Sequence, residues 1–226
     1  MSFSQRIALS IRPPASTSSA DTSLRYTDIL FGFVIKELFT RLQNWPSVNW
    51  TVKAHLLVGT TLVLGSWIGY RRSLNRTSYD VKFFNLPFFR FLADQLMLIL
   101  YFRIAVITNV DGTGLPDDQT LATHTASLVV AVFALYLVWD ALAIWMVFAK
   151  TDGGAVPLYP KVGDDGKKTT GRQKFEPAGI CITAFFLSLV SIFWCRFQSP
   201  ESLWILVAIL LGYRWVKEVR TSWTSA

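Results

Sequence analysis

Four side chains in the apolar stretch 86–110, LPFFRFLADQLMLILYFRIAVITNV, could do chemistry that their neighbours cannot: Arg90, Asp94, Tyr101 and Arg103. Arg90 and Asp94 are four apart, so one helical turn puts them on the same face within pairing distance. Tyr101 lies seven residues beyond Asp94 and continues that face, while Arg103, nine beyond, falls on the opposite one. From Leu86 to Ile107 a helix would cover about 33 Å, roughly one hydrocarbon core. An ionisable group at the centre of a bilayer costs about 2.5–3.5 kcal/mol even on a lenient scale, so these side chains should face protein or water.

Other charges interrupt other apolar runs. Asp140 stands alone in 126–148, and Asp28, Lys36, Glu37 and Arg41 punctuate 26–42. Asp94, Asp140, Arg90, Lys36, Glu37, Asp28 and Arg103 therefore read as an ion path or its gate. Asp94 and Asp140, taken as nearest the membrane middle, would attract or relay cations, and Lys36 and Arg90 would hold them by pairing. The competing reading is structural, with buried pairs fixing helix register. Glu37 with Arg41 and Arg90 with Asp94 can pair within one helix, whereas Asp140 needs a partner from another.

Soluble chemistries find little support. The two histidines, His55 and His124, both fall toward the outer surface, and Cys181 and Cys195 are about 21 Å apart along one helix, so neither a metal constellation nor a disulfide is expected. There is no G-x-S-x-G elbow and no phosphate-binding glycine pattern. Tyr79-Asp80 is half of an intramembrane aspartyl protease pair, but it lies in a basic loop and no second half follows. Asp111, Asp117 and Asp118 lack the spacing of a calcium loop. The reading is no enzyme, no cofactor and no metal.

The elements that would position the charged residues are membrane helices. Of 226 residues 52% are hydrophobic and only 16% charged, against about a quarter charged in soluble domains. The sequence predicts an all-α, polytopic integral membrane bundle of six transmembrane helices at about 26–42, 52–70, 86–107, 126–148, 178–197 and 203–218. A tail of 1–25 precedes the transmembrane domain of 26–220, a cytoplasmic loop spans 150–177 with a hairpin at GDDG, and 221–226 closes the chain. The first helix is the marginal one, since an interfacial amphipathic helix would carry the same charges. Gly65 and Gly69 form a GxxxG that permits close helix packing.

Charge distribution sets the orientation. With six spans and both termini cytoplasmic, sixteen of the 22 Lys and Arg fall in inner segments, and only Lys53 and Arg196 fall in outer connections. That bias also explains the net charge of +7 without nucleic acid. The inner loops hold Arg71, Arg72, Arg76, Lys161, Lys167, Lys168, Arg172 and Lys174, which could contact anionic lipid or a cytoplasmic protein partner. Small polytopic proteins without a soluble catalytic domain include oligomeric channels and membrane effectors of bacterial defence, an analogy of class only. The expected protein is thus a homo-oligomeric ion channel or pore in a cell membrane, by that analogy the bacterial inner membrane. A non-conducting scaffold docking a partner through its basic loops, or a small transporter, are the alternatives.

Overall fold

The structure, a computed structural model, describes residues 19–74, 84, 86–108, 117–149, 161–162, 168–169, 178–196 and 199–223. Arg76, Lys167, Arg172 and Lys174 lie outside the described residues, as do the side chains of Arg72, Lys161 and Lys168. Six helices make the fold: α1 Ser19–Leu42, α2 Trp50–Leu74, α3 Leu86–Val106, α4 Asp118–Ala149, α5 Ala178–Arg196 and α6 Ser202–Trp223. Between α4 and α5 a short antiparallel ladder, β1 Lys161–Val162 and β2 Lys168–Thr169, brackets 163–167. Three helices contain stretches long and apolar enough to cross a membrane: Trp50–Arg71, Asp118–Leu142 and Gly179–Arg196.

Local chemistry explains the helix starts. The Asn49 side chain accepts the Val52 backbone N–H at 2.8 Å and caps α2, while its amide donates to Asp118 Oδ1 at 2.9 Å, tying the starts of α2 and α4 together. Asp117 caps α4, its carboxylate accepting from the Thr120 N–H at 3.3 Å. This cap corrects the expected boundary: α4 begins at Asp118 rather than 126, because Leu121, Ala122 and Thr125 are buried and extend the helix through the presumed outer loop. α1 and α6 also run past their expected ends, and α2 continues through Arg71, which is helical rather than in a loop.

The Asp117 cap carries a pH dependence. Its hydrogen bonds with Thr120 hold the carboxyl below the usual carboxylate range. A depressed folded value means the cap contributes above that range and fails as pH falls through it. Amide exchange in the first turn of α4, corrected for intrinsic rates, should be faster at about pH 3 than at about pH 6. Asp117→Ala should abolish that difference; a difference that survives would place the titrating group elsewhere.

Cross-helix bonds fix the directions. His55 on α2 meets Thr125 on α4, and Ser66 meets Tyr136, so α2 and α4 run parallel. Arg41 on α1 reaches Thr108 just beyond α3, so those two run parallel as well. Asp28 near the start of α1 meets Arg71 near the end of α2, and Asp140 late in α4 meets Thr183 early in α5. The six helices therefore alternate up and down, with a His55 end and an Asp140 end. α2 is central, packing on α1, α3, α4 and α6, while α1 makes no packing contact with α4 among the described residues. The core between the two ends is apolar: Val58, Leu62 and Val63 of α2, Val129, Val132 and Phe133 of α4, and Leu206 and Leu210 of α6.

A buried polar network at one end of the bundle

Eleven residues separate His55 from Ser66 on α2, and eleven separate Thr125 from Tyr136 on α4. Eleven residues are about three turns and about 16.5 Å, so both pairs return to the shared face at the same two levels. At the outer level by the sequence reading, His55 is fully buried rather than near the surface. One ring nitrogen lies 2.7 Å from Thr125 Oγ1 and the other 2.9 Å from the Ile104 carbonyl. Beside it Arg41 pairs with Glu37 and donates from Nε to the Thr108 carbonyl at 2.6 Å.

The second level is richer. Tyr101 donates to Ser66 Oγ at 2.6 Å and lies 2.7 Å from the Tyr136 hydroxyl, while Ser66 and Tyr136 also bond each other. Arg214 of α6 closes the group, its Nη2 donating to Ser66 Oγ at 2.8 Å and to the Tyr136 hydroxyl at 3.1 Å. Its guanidinium lies across Gly65, where a Cβ would come within 2.7 Å of Cζ and closer still to Nε. The GxxxG glycine thus admits a guanidinium between α2 and α6.

Toward the helix ends the network continues through stacked rings. Tyr136 and Tyr213 are stacked with centroids 6.1 Å apart, and Tyr213 OH sits 3.4 Å from Thr183 Oγ1. Thr183 donates to Asp140 Oδ2 at 2.7 Å, and Lys217 Nζ lies 3.6 Å from the same oxygen. Lys217 also sits 5.0 Å above the Tyr213 ring. Asp140 thus finds across the bundle the partners its own helix lacks. With α4 beginning earlier than expected, its membrane-length stretch ends at Leu142, which puts Asp140 near one end and not near the middle.

A second polar group flanks this one at the same end. Asp28 accepts from Trp67 Nε1 at 3.4 Å and lies 3.3 Å from Arg71 Nε, and Gln95 reaches Thr27 at 3.4 Å. Arg90 and Asp94 are buried, with the Arg90 guanidinium stacked 3.8 Å from the Trp139 ring. Lys36 and Arg103 are exposed on the outside of the bundle and belong to neither group.

Among the described residues α1 and α4 do not pack on each other, though α3 packs on both, and the hydroxyl network is carried by α2, α3, α4, α5 and α6. Sequence reasoning missed Arg214, Lys217, Tyr136, Tyr213, Thr183 and Ser66. One signal could have found the two bases: Arg214 and Lys217 are three apart on one face, at the end of the apolar run that opens α6. The hydroxyls offer no pattern in sequence, because Ser, Thr and Tyr are common in membrane helices. Among the described residues no group of three or more His, Cys, Asp or Glu is placed to hold a metal ion. Compared with known proteins, the chain matches no family model, no curated protein and no solved structure.

Proposed function

We propose that this is a six-pass membrane protein, both termini cytoplasmic, that conducts protons or small cations past the buried network at its Asp140 end. The observation that carries the reading is the layering. Two polar levels lie on the α2–α4 interface about three turns apart, with a packed apolar layer between them. A route with polar landings on either side of a dry constriction is how gated pathways hold a closed state. Close packing of the hydroxyls favours proton hopping over passage of a hydrated ion. In this reading Asp140 and Lys217 form the inner landing and His55 the outer one.

Six spans are supported by length and by where the charges point. α1, α3 and α6 have 24, 21 and 22 residues, about 36, 31 and 33 Å long, enough to cross. Their charges lower the hydropathy, yet Asp28, Arg41, Arg90, Asp94, Arg214 and Lys217 are wholly or partly shielded within the bundle. The proposed route lies within one protomer and does not need the homo-oligomer expected from the sequence.

One observation favours a second reading, a non-conducting scaffold. Asp28, Glu37 and Asp140 all pair within the chain, so these carboxylates are satisfied without a bound cation. Proton and potassium flux into liposomes under an applied potential separates the two. Conduction predicts wild-type flux that falls about tenfold in Asp140→Asn, about 1.4 kcal/mol on the barrier. No flux in either would favour the scaffold, and substitutions over Lys161–Lys174 should then abolish partner binding; equal flux in both would take Asp140 off the route.

A further inference from the structure

The guanidinium of Arg214 is only half used. Both of its hydrogen bonds come from Nη2, and both acceptors, Ser66 and Tyr136, are neutral hydroxyls. Nε and Nη1 make no hydrogen bond among the described residues, which leaves their three N–H donors without an acceptor. Nη1 lies alongside Gly69, where a Cβ would sit 3.6 Å away, and Gly69 is exposed. Gly69 therefore leaves a bare groove beside that edge, while the guanidinium itself fills the space at Gly65.

Arg214 and Lys217 share a face of α6, and Asp140 lies 3.6 Å from Lys217. None of the ion pairs among the described residues gives Arg214 a carboxylate. A guanidinium held partly out of water without a counter-charge is costly, and an anion delivered to its open edge would offset that cost. The depth of the groove says where such an anion comes from. Trp215, next in the chain, is 69% exposed, and Trp145 of α4 is 62% exposed at the same end. Exposed tryptophans of a membrane helix mark the headgroup level.

We infer that the Arg214 edge and the groove at Gly69 bind a phosphate group, supplied by an anionic phospholipid of the adjacent leaflet. The lipid phosphate accepts from Nη1, its chains run along α2 and α6, and the bound anion compensates the Arg214 charge. The site rests on the placement of Arg214 and does not require that the protein conduct.

The test uses the purified full-length protein in neutral detergent, with thermal unfolding as the readout. It is titrated with short-chain phosphatidylglycerol, short-chain phosphatidylcholine or inorganic phosphate. Phosphatidylglycerol should raise the unfolding temperature saturably and phosphatidylcholine should not. Arg214→Gln should weaken the apparent affinity at least tenfold. Gly69→Val fills the groove while leaving the Ser66 and Tyr136 bonds in place; it should weaken affinity similarly without lowering the lipid-free unfolding temperature, so it decides the matter if Arg214→Gln fails to fold. Saturation by inorganic phosphate at the same site would identify a soluble anion in place of the lipid. No shift in the wild type, an equal shift with phosphatidylcholine, or an undiminished shift in both variants would overturn the site.

Discussion

Replacing Asp140 with leucine is expected to cost the fold about 2–4 kcal/mol, and removing Lys217 in the same chain should return most of that loss. Asp140 is 15% exposed, accepts a hydrogen bond from Thr183 and pairs with Lys217. Deleting the carboxylate alone leaves Lys217 partly shielded from water without the carboxylate it pairs with. A stranded ion is what makes breaking a buried pair expensive, whereas an apolar pair of similar volume is often neutral. Asp140→Leu with Lys217→Met should therefore lie close to the wild type. The check is a double-mutant cycle of unfolding in mixed micelles, with Thr183→Val as a third arm for the hydroxyl bond. A double variant as unstable as Asp140→Leu alone would mean that Lys217 is not the carboxylate's main partner and that Arg214 carries the coupling.

What was legible in the sequence divides along a physical line. Helix existence was legible, since long apolar blocks leave the backbone few alternatives, and the buried face of α3 was legible because charge in a membrane helix must turn inward. Arg90, Asp94 and Tyr101 all lie on that face and Arg103 does not. Helix starts were less legible, because capping side chains and local burial, and not the apolar block alone, set them. Asp117 starts α4 early, and moving that one boundary carried Asp140 from the presumed middle of the membrane toward its edge.

The site itself was harder to read, because its members are defined by partners on other helices. Periodicity places a residue on a face but does not say which face it meets. Asp140 needed a partner from outside its helix, and that much followed from spacing alone. That the partners are Thr183 and Lys217 follows from the packing of α4 between α5 and α6. Gly65 shows the same limit: a GxxxG says that something comes close, and only the fold shows that it is Arg214. Lys36 shows the converse. Expected to hold the path by pairing, it faces outward on α1, where a long alkyl stem can carry its charge toward the interface.

The second large effect should come from the apolar layer. Phe133 is fully buried three residues before Tyr136, packed edge-on against Tyr213 at 4.8 Å and Tyr136 at 5.5 Å. Because lipid tails are as apolar as a protein core, Phe133→Ala loses little transfer energy in a membrane and is left mainly with the void. A void on the order of 100 Å³ at about 24 cal/mol per Å³ gives about 2–3 kcal/mol of destabilisation. The same void lies between the His55 and Tyr101 levels, so on the conduction reading it also thins the seal. Resting flux should then rise several-fold in Phe133→Ala liposomes, and adding Asp140→Asn should bring it back down, since the route would still pass that carboxylate. Phe133→Leu, which refills most of the space, should restore both stability and tightness. A Phe133→Ala protein that is destabilised yet no leakier than the wild type would leave Phe133 as packing alone and remove the apolar layer from any gate.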